Sequence, residues 1–264
     1  MQLTDRVAVI TGSGSGIGAA LARRFAAEGA AEVVVVDRDG ASAAAVAGEV
    51  GGVPELVDVT DPAAVAGLVE RTIARAGRID VFCSNAGMAT GVGLDDPGEV
   101  WQRTFELNLM SQVYAARAVL PGMLERGSGW LINTASAAGL LTSPGDAPYA
   151  VTKHGAVALA EWLAVTYGGR GIGVSVLCPM GVATPLLMDP LAAGDRGAQA
   201  VAASGEIISA DQVADAVVTA LAEERFLILP HPQVGTFWAQ KASDPDRWLA
   251  GMRRLVDGQT TPKE

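Results

Sequence analysis

Short uninterrupted runs of aliphatic residues alternate with longer Ala-rich stretches along most of this chain. Val7-Ala8-Val9-Ile10 is apolar throughout and too short for a helix, so it reads as a strand covered on both faces. An Ala-rich helical run to Glu28 follows, then a second apolar run, Glu32 to Val36, that ends on Asp37. The same alternation predicts strands leading to Asp58 and to Asn85, and strands over Trp130–Ala135, Val174–Leu177 and Phe226–Leu229. Such a pattern predicts an α/β fold, doubly wound, with a mostly or wholly parallel seven-stranded sheet and helices on both faces. Beyond the last strand, Trp248, Leu249, Met252, Leu255 and Val256 recur at helical spacing, which predicts an amphipathic C-terminal helical extension. That helix must bury its apolar face on its own subunit or against a neighbour's.

The first strand runs directly into Thr11-Gly12-Ser13-Gly14-Ser15-Gly16-Ile17-Gly18 and then into a helix. Strand, glycine loop and helix in that order suit a phosphate site, because glycines let the backbone approach a pyrophosphate and the helix N-terminus offers free N–H groups. Asp37 lies 19 residues after Gly18, where an acid accepts hydrogen bonds from an adenosine ribose and repels a 2′-phosphate.

The second chemical signal is Tyr149-Ala150-Val151-Thr152-Lys153. On a helix, residues four apart share a face, so the phenol lies over the ammonium. A neighbouring positive charge favours the phenolate, and the expectation is a lowered Tyr149 pKa and a group able to act as acid or base.

The spacing Thr-Gly-x-x-x-Gly-x-Gly, together with Tyr-x-x-x-Lys, resembles the short-chain dehydrogenase/reductase family, and the likeness extends over roughly residues 6–230. Asp58-Val59 resemble its adenine-contacting pair, Asn85-Ala86-Gly87 its Asn-Ala-Gly motif, Asn108 in the long fifth helix its relay asparagine, and Ser136, 13 residues before Tyr149, its active-site serine. Pro179 and Gly181 resemble its Pro-Gly turn, and Thr184 the threonine that holds the nicotinamide amide. Two departures stand out: Ser84 precedes Asn85 where an asparagine is usual, and Met180 separates Pro179 from Gly181.

The resemblance implies a Rossmann fold and hydride transfer between a nicotinamide and a secondary alcohol or its ketone. It implies Tyr149 as acid/base, Ser136 as donor to the substrate oxygen, Lys153 as partner of the phenol and of the nicotinamide ribose, and Asn108 as holder of a relay water. The implied cofactor residues are Gly12, Ser13, Ser15, Gly16, Ile17, Gly18, Asp37, Arg38, Asp58, Val59, Asn85, Ala86, Gly87, Tyr149, Lys153, Pro179, Gly181, Val182 and Thr184. Asp37 favours NAD over NADP, although Arg38 beside it could reach a 2′-phosphate.

The implied substrate lid, Pro185 to Glu206, begins Leu186-Leu187-Met188. With Ala138, Leu141 and Met180, and with Ser136 and Tyr149 at the reacting end, it suggests an apolar substrate; Leu94 and Thr142 are further pocket candidates. No basic cluster opens the lid, which argues against phosphorylated or CoA-linked substrates, with Arg196 the residue that could bind one. The Ala-rich helix from Tyr149 to Tyr167 resembles the family's interface helix, which implies a homotetramer or homodimer. The alternatives are an NADP-dependent ketone or ketoacyl-type reductase and a non-catalytic cofactor-sensing relative.

Composition narrows the field. The chain has 264 residues, 50% hydrophobic, and a formal net charge of −10, so nucleic acid and anionic membrane are unfavourable partners. There is no apolar run long enough to span a membrane and no room for a signal peptide before the first strand, so the expectation is a cytoplasmic protein. Cys83 and Cys178 lack a Cys-x-x-Cys partner and read as buried thiols, and His154 and His231 stand alone, so no metal site is expected. No linker or repeat divides the chain, and residues 1–264 are expected to form one domain: 1–135 mainly for cofactor, 136–230 for catalysis and substrate, 231–264 as extension.

Overall fold

The order of the strands explains where the functional residues collect. A computed structural model of the chain describes residues 1–260, with the backbone alone described for Leu255 and for residues 257–260. Strands β1 (Val7–Thr11), β2 (Glu32–Asp37), β3 (Val53–Leu56), β4 (Val81–Ser84), β5 (Gly129–Thr134), β6 (Ile172–Leu177) and β7 (Leu227–Ile228) form one sheet in the order β3-β2-β1-β4-β5-β6-β7. Every pairing is parallel.

Alternation along each strand sends side chains to opposite faces and so builds two cores. Ala8 and Ile10 of β1 pack with α1 (Gly16–Ala27), α2 (Gly40–Val50) and α9 (Ala210–Ala222), through Leu21, Phe25, Val46 and Val217. Val9 faces the other way, towards α3 (Pro62–Ala76), α5 (Ser111–Arg126) and α6 (Ala147–Tyr167), whose Leu68, Val119 and Leu163 are buried there. Winding in opposite senses from β1 and β4 opens a crevice beyond their carboxyl ends, the place where such sheets bind ligands.

Three segments differ from the sequence reading. Asn108 lies not in a regular helix but in a π turn, Glu106–Met110, between α4 (Glu99–Phe105) and α5. At this wider turn Gln112 Nε2 donates to Asn108 O at 3.2 Å, and the Asn108 side-chain amide pairs with the Met88 backbone. Asp58 and Val59 stand just past β3, which ends at Leu56. The C-terminal extension is two helices, α10 (Gln233–Ser243) and α11 (Pro245–Thr260). Pro245 cannot continue the ladder of α10 but suits the first turn of α11, where Asp244 Oδ1 accepts from Arg247 N at 3.0 Å.

The expected lid is the pair α7 (Pro185–Ala192) and α8 (Arg196–Ala203). Among the described residues no helix is long and apolar enough to cross a membrane, and no cluster of His, Cys, Asp and Glu could hold a metal ion.

Candidate active site

One cleft of about 540 Å³ lies over the carboxyl ends of the strands. At one end its wall is the glycine loop. The N–H groups of Gly16, Ile17 and Gly18 precede the first helical bond of α1, Ala19 N to Ser15 O at 3.1 Å, and the Ser15 side chain caps none of them. Gly16 has φ +54°, and a Cβ there would come within 3.2 Å of Thr184 Cγ2, so loop and Thr184 face each other across a gap that only glycine leaves open. Gly18 is required for packing rather than for a turn, since a Cβ would lie 2.3 Å from Gly12 O.

Gly12, Ser15, Gly16, Ile17, Asp37, Arg38, Asp58, Val59, Asn85, Ala86, Gly87, Pro179, Val182 and Thr184 all line this cleft with Ser136, Tyr149 and Lys153. Met180, Leu186 and Leu187 line it as well. Ser13, Gly18, Gly181, Asn108 and Ala138 are buried and do not line the cleft, and the half-buried Leu141 packs against the core instead. Ser13 is wholly buried, and its hydroxyl bonds Ile10 O at 2.6 Å and accepts from Val36 N at 2.9 Å, so it ties the loop to β2. The sequence reading did not single out Thr60, Met88, Arg103 and Leu107, which also line the cleft.

Beside the glycine loop Asp37 is held rigidly. One carboxylate oxygen accepts from Gly14 N at 2.9 Å and the other from Asp39 N at 3.1 Å. Thr60 bonds the Asp58 carboxyl by hydroxyl and N–H, and these bonds, helped by the Arg38 and Arg103 guanidiniums, hold it below the usual carboxylate range.

At the other end Lys153 Nζ lies 5.6 Å from the centroid of the Tyr149 ring, as helical spacing predicts, and donates to Thr134 O at 2.9 Å. Lys153 is 3% exposed, and this burial lowers its pKa to about 8. The expectation of a lowered Tyr149 pKa is corrected: burial raises it, the Ser136 hydroxyl offsets part of the rise, and the Asp146 carboxylate adds to it. The Ser136 Oγ accepts from Ala138 N at 3.1 Å and donates to Pro179 O at 3.4 Å, so the hydroxyl both caps its own turn and touches the cleft.

Behind these groups stands a buried polar layer that the motifs do not reveal. Asp146 caps α6 by accepting from Tyr149 N at 3.1 Å, and it also takes Thr90 N and Thr90 Oγ1, both at 2.6 Å, and Gly91 N at 2.8 Å. It thereby fastens the loop after β4 to the helix that carries the phenol. An Asp two residues before Pro148 was the available sequence signal, a helix start. Asn108 Oδ1 accepts from Met88 N at 2.8 Å, while its Nδ2 donates to Met88 O at 2.9 Å and to Thr152 Oγ1 at 3.3 Å. Gln112 Nε2 donates to Asn108 O and, at 3.4 Å, to the Thr134 O that also takes Lys153.

Both cysteines are free and wholly buried; burial pushes the Cys178 thiol up to about 12 and Cys83 higher still. His154 is exposed on α6, its Nδ1 2.8 Å from Ala150 O.

A family model described as short chain dehydrogenase matches residues 6–195. A 1-deoxy-11-beta-hydroxypentalenate dehydrogenase of Streptomyces avermitilis is 36% identical over 95% of this chain and 93% of its own. Levodione reductase of Leifsonia aquatica is 39% identical over 70% of this chain and 73% of its own. The crystal structure of a short chain dehydrogenase/reductase from Burkholderia phymatum in complex with NAD superposes with a TM-score of 0.84 at 28% identity, covering 100% of this chain and 98% of that one. The glycine loop, the Tyr149–Lys153 pair and the wholly parallel sheet agree with these likenesses, and the chain belongs to the short-chain dehydrogenase family, an oxidoreductase of hydroxyl and keto substrates.

Proposed function

We propose that the chain transfers hydride between NAD and a largely apolar secondary alcohol or its ketone, with Tyr149 as the acid/base. The observation that carries this reading is the convergence of the Tyr149 phenol, the Ser136 hydroxyl and the Lys153 ammonium on one cleft whose other end is an open helix N-terminus. The cofactor fits the residues present: Gly16 and Ile17 offer N–H groups to a pyrophosphate, Asp37 stands ready to accept from ribose hydroxyls, and Thr184 faces the loop at the nicotinamide end. Bound there, it supplies or accepts the hydride.

The chain's own groups handle the proton. In oxidation the Tyr149 phenolate takes the hydroxyl proton; in ketone reduction the phenol returns it while Ser136 Oγ–H bonds the oxygen on which charge builds. While protonated, the Lys153 ammonium, 5.6 Å from the centroid of the Tyr149 ring, favours the phenolate. The Asn108 side chain is occupied by Met88 and Thr152, and its main-chain carbonyl accepts from Gln112 Nε2, so Asn108 ties the loop after β4 to the helix that carries Tyr149 and Lys153.

NAD is favoured over NADP because Asp37 is pinned by two backbone N–H groups and cannot swing away from a 2′-phosphate, while the Arg38 charge is shared with Asp58. The apolar substrate follows from Met180, Leu186 and Leu187 in the wall, and the relatives named for hydroxypentalenate and levodione fit it. The test is absorbance of reduced nicotinamide with a panel of short aliphatic, cyclic, aromatic and terpenoid alcohols, with NAD and NADP in parallel. One structural class is expected to reduce NAD at least about tenfold more efficiently than NADP, a difference of roughly 1.4 kcal/mol. Equal efficiency with both cofactors would overturn the Asp37 argument.

Self-association is the second part of the proposal. Val151, Trp162 and Val165 on α6 are 49%, 57% and 87% exposed, and their helical spacing places them along one side. Two copies meeting on this stripe would cover it by an isologous contact. Sedimentation is expected to give a dimer or tetramer, and Trp162→Glu to shift it towards monomer; a wild-type monomer sinks the idea.

A further inference from the structure

We infer that the segment after β7 braces the substrate end of the cleft, with His231 and Lys241 as positioning residues; the inference rests on the oxidoreductase reading above. The β6–β7 ladder runs Val176 N to Phe226 O at 2.7 Å and Cys178 N to Ile228 O at 2.9 Å. The next rung would join Met180 N to Pro230 O, and Pro230 has no N–H to return. The ladder ends there. Met180 N donates instead to His231 Nδ1 at 3.2 Å, and His231 Nε2 lies 3.0 Å from Gly181 O. One neutral tautomer satisfies both contacts, with Nδ1 bare and the proton on Nε2. The ring is 2% exposed, so these bonds are made out of water.

The loop held by this ring reaches Ser136 on its other side. Pro179 O accepts from Ala137 N at 2.7 Å and from Ser136 Oγ at 3.4 Å. At the far end of the Ser136 turn, Lys241 Nζ of α10 donates to Leu140 O at 2.8 Å and to Leu141 O at 2.7 Å. Val234, wholly buried, fixes α10 between the two attachments. Both flanks of the turn that aims Ser136 are therefore tied to one extension of the same chain, and so is Met180 in the cleft wall. Displacing a reacting partner by about 1 Å costs on the order of 100-fold in rate, so loosening this brace acts on catalysis without touching the substrate.

The test compares turnover with binding of ADP-ribose, which reaches the glycine-loop end alone. His231→Leu removes the acceptor and the donor together, and its kcat with the best alcohol is expected to fall about 10- to 100-fold while ADP-ribose binds as to wild type. His231→Gln restores one acceptor and one donor and is expected to recover part of that loss. Lys241→Met alters a partly exposed side chain, keeps the fold if His231→Leu does not, and is expected to raise KM for the alcohol more than it lowers kcat. An active wild type with both His231→Leu and Lys241→Met within about twofold of it, or ADP-ribose binding lost in step with turnover, overturns the brace alone. A wild type inactive on every alcohol and ketone, with either cofactor, refutes the underlying reading and the brace with it.

Discussion

Tyr149→Phe is expected to lower turnover by about 10²–10⁴-fold, the range that a positioned general acid or base supplies. The ring remains against Lys153 and the helix cap at Asp146 is made by the backbone, so cofactor affinity and fold are expected to stay near wild type. The same reading fixes the pH dependence of the parent enzyme. Burial and Asp146 push the phenol above its ordinary range, so it is protonated near neutrality, ready to donate to a ketone. Oxidation needs the phenolate, and its kcat/KM is expected to rise as pH is raised into the alkaline range, while ketone reduction, which consumes the phenol proton, falls. Measuring both directions across pH checks the assignment. Near-normal turnover of Tyr149→Phe, or two directions that change in parallel, would remove Tyr149 from the chemistry.

The parts of this site that were legible in the sequence are those written in local spacing. A glycine loop between a strand and a helix, and two residues four apart on a helix, keep their geometry wherever they are found, so Gly16, Asp37, Tyr149 and Lys153 could be placed beforehand. Ser13 belongs to the same loop, yet its side chain turns inward to Ile10 O and Val36 N, and no motif states which way one hydroxyl faces. The rise in the Tyr149 pKa is hidden from the sequence for a related reason: spacing reports the neighbouring ammonium, whereas burial, the largest cause of the shift, depends on how distant segments pack around the ring. The bonds from Asp146 to Thr90, from Gln112 to Thr134 and from His231 to Met180 join positions 22 to 56 residues apart. They exist only once the sheet has brought its loops together. The break between α10 and α11 was available at Asp244-Pro245, but a helical recurrence of Trp248, Leu249 and Met252 is equally consistent with one helix or two.

Lys153→Met is expected to separate stability from activity, because the lysine is held where a charge is unfavourable. Its ammonium is buried and has one hydrogen-bond acceptor, Thr134 O, and its pKa of about 8 lies below the ordinary 10.5. The sign follows from proton counting. Between about pH 8 and 10.5 the unfolded chain holds this proton more often than the folded one, so stability rises with pH across that window. Below pH 8 the full penalty remains, on the order of 3 kcal/mol. Methionine keeps the length and the apolar stem without the charge, and the Thr134 carbonyl left behind still receives Gln112 Nε2 at 3.4 Å, so the lost bond costs only about 1 kcal/mol. The variant is therefore expected to be more stable than the parent at neutral pH by roughly 2 kcal/mol, and to lose the rise in stability between pH 8 and 10.5. Turnover is expected to drop by about 10²-fold or more, since the phenol loses the cation that favours its ionised form. Denaturant unfolding of the cofactor-free protein at pH 7 and pH 10 measures both points. A variant less stable than the parent at pH 7, or one that keeps the alkaline rise, would show that Lys153 is not held at a cost, and that the chain has not traded folding stability for a reactive ammonium beneath Tyr149.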